Sequence, residues 1–166
     1  MALLHMFHKW YEAMDTPGTC LRICTLDFSK AFDRIDFNIL LQKLINMGIH
    51  PVLINWIANF LTDRRQRTRI GPNYSCWRPN NGVPQGTKLG PLLFLIMVND
   101  LKVSVDSVKF VDDTTLWEII TRAQTSASVL QTQISECSSW VAKNNMKLNP
   151  TKTKEIRVCF STYDTE

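Results

Sequence analysis

Three aspartates occupy positions where an unpaired carboxylate is costly. Asp27 closes the apolar run Ile23-Cys24-Thr25-Leu26, and Asp112-Asp113 stand between the apolar pairs Phe110-Val111 and Leu116-Trp117. The Asp112-Asp113-Thr114 stretch reads as the turn of a tight hairpin. If its strands neighbour the strand that ends at Asp27, then Asp27 and Asp112 converge on one sheet edge. Carboxylates brought together repel unless they share a cation, and hard oxygen ligands suit Mg²⁺. Two such ions about 3.5–4 Å apart serve phosphoryl transfer by activating a hydroxyl and stabilising a leaving oxygen. Two solvated turn residues are the commoner meaning of an Asp-Asp pair, so spacing by itself leaves both readings open.

Charge adds a second feature. The 166 residues carry a net charge of +4. Arg64, Arg65, Arg67, Arg69 and Arg78 follow Asp63 without another acid among them, and Lys143, Lys147, Lys152, Lys154 and Arg157 are diluted only by Glu155. Such clusters can track a phosphate backbone or can simply be solvated faces. The apolar content of 45% and charged content of 20% exclude a disordered or fibrous chain. The longest apolar run, Leu92 to Val98, is far short of the ~20 residues of a membrane span. Met1-Ala-Leu-Leu followed by His5, His8 and Lys9 carries no readable secretory signal. Five cysteines without a CxxC pair indicate neither a disulfide framework nor a zinc site, and fit a reducing, intracellular compartment, nucleus or cytoplasm.

The elements that must position these residues follow from periodicity. Leu3, Leu4, Phe7, Trp10, Tyr11 and Met14 predict a helix over 1–14, and Leu21 to Phe28 a buried strand. Helices are expected from Asp36 to Gly48, over Val52 to Leu61, over Leu89 to Leu101 and from about Thr125 to Asn145. Arg65 to Ile70, the two runs flanking Asp112-Asp113, and Glu155 to Phe160 read as strands, with 81–86 a turn-rich loop. This order implies an α+β fold with helices packed on one face of a small antiparallel sheet.

Four stretches occur in a telling order: Leu26-Asp-Phe-Ser-Lys-Ala-Phe-Asp33, Gly82-Val-Pro-Gln-Gly-Thr-Lys-Leu-Gly-Pro91, Phe110-Val-Asp-Asp113 and Leu148-Asn-Pro-Thr-Lys-Thr-Lys154. They resemble motifs A, B, C and D of reverse transcriptases, in the non-LTR (LINE-type) retrotransposon branch. The resemblance covers nearly the whole chain, Trp56 to Leu61 and Asn99-Asp-Leu101 included. It implies a palm-type fold with part of the fingers and no thumb. The implied layout is one partial domain over 1–166, with a fingers/palm helix and turn in 1–20 and the palm in 21–160. The family's remaining fingers strands would precede Met1, and its primer grip and thumb would follow Glu166.

The resemblance also implies roles. Asp27, Asp112 and Asp113 would be the polymerase carboxylates, with the backbone carbonyl of Phe28 completing the shell of two Mg²⁺ (or Mn²⁺) ions. Phe32 would be the gate beneath the sugar of the incoming nucleotide, and Gln85 and Gly86 would hold that nucleotide and the template base. Lys152 would assist the leaving pyrophosphate. The implied reaction joins a dNTP to a DNA primer on an RNA template, weakly or not at all in this segment alone. Val111 and Phe32 argue against a viral RNA-dependent RNA polymerase, which usually carries glycine and a small residue there. A retrotransposon relic or domesticated nucleic-acid-binding module is the non-catalytic rival.

Overall fold

The computed structural model describes residues 2–79, 81–110, 112–121 and 129–159. Thirteen elements run in chain order: α1 (Ala2–Met14), β1 (Thr19–Asp27), α2 (Phe37–Asn46), α3 (Pro51–Leu61), β2 (Arg65–Gln66), β3 (Arg69–Ile70), β4 (Asn73–Tyr74), β5 (Arg78–Pro79), α4 (Leu89–Val98), β6 (Asp106–Phe110), β7 (Asp113–Thr121), α5 (Val129–Lys143) and β8 (Lys154–Cys159). They gather into two compact units. One comprises 1–28, 101–141 and 148–166, the other 29–100 and 142–147.

The first unit is built on an antiparallel sheet of order β6-β7-β1-β8. Central β1 is a nine-residue strand buried through Leu21 to Cys24 and at Leu26, as its β-branched and aliphatic content predicts. Side chains alternate along it, so Leu21 and Ile23 face one way and Arg22, Cys24 and Leu26 the other. Leu21 and Ile23 form a core with Trp117 of β7 and Met6 of α1, against which Trp10, Val108 and Val158 pack. The indole rings of Trp10 and Trp117 meet edge to face, centroids 6.0 Å apart. The opposite sheet face receives α5: Phe28 meets Trp140 at 6.4 Å, and Glu118 accepts a 2.9 Å hydrogen bond from the backbone N–H of Leu130. The small antiparallel sheet with packed helices is as expected, but the helices are not confined to one face: α5 covers one and α1 adds cover on the other.

Arg22 is buried within this apolar strand and is held by two acids. Its guanidinium donates to Glu118 Oε1 at 2.8 Å and to Glu155 Oε1 at 2.8 Å, and Arg157 Nε reaches the same Glu155 oxygen at 3.2 Å. The register pairs Arg22 with Glu118 on β7 and with Arg157 on β8, so Glu155 separates two cations that would otherwise stand opposed.

One expectation is overturned here. Cys20 and Cys159 form a disulfide, although the cysteine spacing indicated no disulfide framework. β1 and β8 place the two residues directly opposite, with Cα atoms 4.5 Å apart, the separation of a non-hydrogen-bonded antiparallel pair. Cys24 and Cys137 remain as buried thiols, and burial pushes both above the usual thiol range.

In the second unit α2 starts at Asp36, whose carboxylate accepts from the N–H groups of Asn38 at 2.9 Å and Ile39 at 3.2 Å. Asn145 also donates to Asp36, at 2.9 Å, and with those N-cap bonds holds its carboxyl below the ordinary range. Lys43 Nζ bonds the carbonyl of Met97 and the Asp100 carboxylate, both at 2.6 Å, setting a cation at the C-terminus of α4. The expected 65–70 strand is two short pieces, because Arg67 and Thr68 leave the ladder. α4 ends at Val98, short of Leu101, and α5 is described from Val129; 122–128 and Phe160 lie outside the described residues.

Candidate active site

β1 and β7 pair residue by residue until Asp27 stands opposite Asp113. Directly opposed residues project on the same side of a sheet, so these two carboxylates share a face at the open end of the central strands. β6 and β7 close their hairpin with Phe110 opposite Asp113, which puts Asp112 in the two-residue tip. Val111 lies outside the described residues. The local sequence explains the placement on one side: Leu116 and Trp117 are buried in β7, and the carboxylates stand where the strands end, beside exposed Phe110.

Electrostatics mark the place. Burial, then the negative charges of Asp112 and Asp27, push the Asp113 carboxyl above its ordinary value, while Lys152 opposes the shift. Lys152 Nζ lies 3.7 Å from Asp27 Oδ1. That lysine is carried on the turn after Asn149, and Asn149 is fastened to the strand end by its N–H donating to the Asp27 carbonyl at 2.8 Å. Phe28 continues β1 by one bridge, to Leu148. The residues expected to act together from motifs A, C and D are therefore neighbours in the first unit.

Among the described residues no group of three or more His, Cys, Asp or Glu side chains forms a ready metal cage. The donor set nevertheless fits Mg²⁺. Its donors are all hard oxygens, the carboxylates with the Phe28 carbonyl, and Asp113 experiences a repulsion from its neighbours that a cation would relieve.

Phe32, Gln85 and Gly86 belong to the second unit. Phe32 is half-buried, its ring stacked on that of fully buried Phe94 with centroids 5.1 Å apart. The motif B loop is pinned to the backbone beside it by Val83 N–H, which donates to the Phe32 carbonyl at 2.8 Å. The close approach falls at Gly82: a Cβ there would lie 2.2 Å from the Phe32 carbonyl oxygen, and its φ is +75°. Gly86 also has positive φ, +81°, but open space around it. Thr87 Oγ donates to the Pro84 carbonyl at 2.9 Å and accepts from Gly90 N–H at 3.1 Å, bracing the loop at the start of α4. Gln85 is exposed on this braced turn.

Arg64, Arg65, Arg67 and Arg69 line the segment from the end of α3 into β3. Arg64 donates to the Phe60 carbonyl at 3.3 Å and lies over the Phe60 ring, while Arg65 and Arg69 are exposed strand residues. Two features escape a reading by motif. Tyr74 and Trp77 stack on Arg67, and Arg22 organises its acids inside the sheet. An arginine in an apolar strand, with a glutamate in the apolar run Leu116 to Ile120, was the available signal for the second.

Among the described residues no helix is long and apolar enough to cross a membrane. The profile of the family described as reverse transcriptase (RNA-dependent DNA polymerase) matches residues 3–161. A probable RNA-directed DNA polymerase from transposon BS of Drosophila melanogaster is 31% identical over 161 residues, spanning 90% of this chain and 17% of that protein. The Pol polyprotein from the type-1 retrotransposable element R2 of Popillia japonica is 27% identical over 158 residues, spanning 84% of this chain and 21% of its own length. The chain thus spans about a fifth of these relatives. Among solved structures, a telomerase from Candida tropicalis in complex with a fragment of telomeric RNA superposes with a TM-score of 0.67 at 14% identity, covering 93% of this chain and 29% of that one, a likeness of fold. With its paired aspartates at a palm-type sheet edge and a profile match along almost its full length, the chain belongs to the reverse transcriptase family and is related to the reverse transcriptase domains of non-LTR retrotransposons.

Proposed function

We propose that this chain carries the catalytic palm of an RNA-directed DNA polymerase, which extends a DNA primer with dNTPs on an RNA template inside the cell. The observation that carries the reading is the opposition of Asp27 and Asp113 at the strand ends, with Asp112 at the adjoining hairpin tip. Asp27, Asp112, Asp113 and the Phe28 carbonyl would hold two Mg²⁺ (or Mn²⁺) ions. Bound there, the ions supply a lowered pKa at the primer 3′-hydroxyl and neutralisation of the departing pyrophosphate.

The chain's own groups do the remainder. Lys152, 3.7 Å from Asp27, keeps a cation beside the carboxylates and would donate a proton to the leaving pyrophosphate. Phe32 restricts the space beneath the nucleotide sugar, its ring supported from behind by Phe94. Gln85 and Gly86, on a loop braced by Thr87, contact the nucleotide and the template base. Arg64, Arg65, Arg67 and Arg69 meet backbone phosphates, which orient a strand without reading its sequence.

The test is primer extension on an RNA template with dNTPs and Mg²⁺, the chain compared with Asp112→Asn. Weak extension is expected, because positioning supplies much of the rate in such chemistry and this segment is a fraction of its relatives' length. Extension lost in Asp112→Asn supports the reading, and extension unchanged by that substitution overturns it. Nucleic-acid binding without any extension, even when the segment is joined to a relative's flanking regions, would favour a non-catalytic binding module.

A further inference from the structure

Residues 65–79 form a ribbon of two short ladders separated by a gap. β2 and β5 pair Arg65 with Pro79 and Gln66 with Arg78, and β3 and β4 pair Arg69 with Tyr74 and Ile70 with Asn73. Arg67 lies between the ladders, its guanidinium carbon 4.0 Å from the Tyr74 ring centroid and 4.6 Å from that of Trp77. Arg69 approaches the same Tyr74 ring at 5.5 Å. The gap is braced: Thr68 N–H donates to Ser75 Oγ, and Ser75 N–H to the Thr68 carbonyl, both at 2.9 Å.

Despite these contacts, Tyr74 is 50% and Trp77 57% exposed. No acid occurs from Arg64 through Pro79. Two large aromatic rings on a thin, strongly basic ribbon contribute little to a hydrophobic core. They do offer π surface beside guanidinium groups, and that combination is complementary to an unpaired nucleotide: arginine meets the phosphate and the ring stacks on the base. A duplex hides its base faces and would engage only the charges.

We infer that the 65–79 ribbon is a docking surface for single-stranded nucleic acid, with Tyr74 and Trp77 stacking on unpaired bases while Arg65, Arg69 and Arg78 hold flanking phosphates. This rests on the proposed reading of the arginines as phosphate contacts and extends it by the strandedness of the partner. Arg67 is the positioning residue that holds both rings. RNA and DNA single strands share the chemistry, and the test separates them.

Binding of the whole chain to labelled oligo(rU), oligo(dT) and a blunt RNA–DNA duplex of equal length is followed by fluorescence anisotropy at low salt. Both single strands should bind more tightly than the duplex. Tyr74→Ala and Trp77→Ala should each weaken single-strand binding about tenfold, the scale of one lost base–aromatic stack. Duplex affinity and the salt slope should stay unchanged, because no phosphate contact is removed. Trp77→Phe, which keeps a ring, should hold most of the affinity. A larger loss on oligo(rU) than on oligo(dT) assigns the ribbon to RNA, and the reverse assigns it to DNA. Unchanged single-strand affinity in both alanine variants, or equal losses on single strand and duplex, overturns stacking and leaves the phosphate contacts standing. No binding of any strand by the unmodified chain overturns both. Should an alanine variant fail to fold, the emission difference between the unmodified chain and Trp77→Phe decides the matter: quenching by oligo(rU) or oligo(dT) but not by duplex is required.

Discussion

Asp113 stands opposite Asp27 and next to Asp112, and its carboxyl is raised by burial and by those two charges. A raised acid binds its proton more tightly folded than unfolded. The fold without metal should therefore gain stability as pH falls through the raised value and lose it as pH climbs past. Thermal melts across pH, with and without Mg²⁺, check this: Asp113→Asn should flatten the pH response and remove stabilisation by Mg²⁺. Phe32 makes a different demand. Its ring leans on Phe94 while staying half-exposed, so truncation has a packing cost below the ~3–5 kcal/mol of a fully buried phenylalanine. In a longer polymerase carrying this segment, Phe32→Ala should raise kcat/KM for ribonucleotides relative to deoxynucleotides on one primer and template. A constant ratio in a folded variant counts against the gate. Gly82→Ala should destabilise by at least ~1–3 kcal/mol in denaturant melts, because left-handed backbone and overlap with the Phe32 carbonyl act together.

At the level of elements, two devices hold β1 between its neighbours. Arg22 joins Glu118 and Glu155 across three strands, and Glu118 also accepts from the first turn of α5. The hydrogen bond from Arg22, helped by Arg157, keeps the Glu155 carboxyl below its usual range. A depressed acid contributes stability that is present above its unfolded pKa and lost as pH falls through the folded value. Glu155→Gln should accordingly soften the acid limb of the stability profile. Glu118→Ala takes one of two acids from a buried guanidinium that keeps Glu155, and should cost ~1–3 kcal/mol in urea melts. The Cys20–Cys159 bond closes a loop across a sequence separation of 139. Reduction should lower stability by ~2–4 kcal/mol in the unmodified chain and leave Cys159→Ser unaffected, as differential scanning calorimetry with and without dithiothreitol would read.

Over the whole molecule, the charge of +4 matters less than which cations are engaged. The second basic region is partly occupied: Lys152 sits beside Asp27, and Arg157 is bonded to Glu155. Arg65 has exposed surface on the ribbon. Arg65→Ala should reduce the salt slope of nucleic-acid binding by about one, equally for different sequences, while Arg157→Ala should leave the slope nearly unchanged.

Much of this is legible in the sequence. Periodicity located α1, α2, α3 and α4 within a few residues, since each carries an apolar stripe or run bounded by Asp, Pro or Gly signals. The aspartates were legible because a carboxylate at the end of an apolar strand is costly, and the four ordered motifs named the family. Strand register was not legible. It depends on which distant strands pair, and a slip of one residue would turn every side chain to the opposite face. Only the tertiary structure therefore put Asp113 opposite Asp27, matched Cys20 to Cys159, and surrounded Arg22 with acids from two other strands. The same holds for Gly82, whose necessity comes from the approach of the Phe32 backbone rather than from its own neighbours in sequence. Local chemistry dictated which residues could act and which segments would coil or extend; long-range pairing, with energies spread over many partners, decided which of those residues meet.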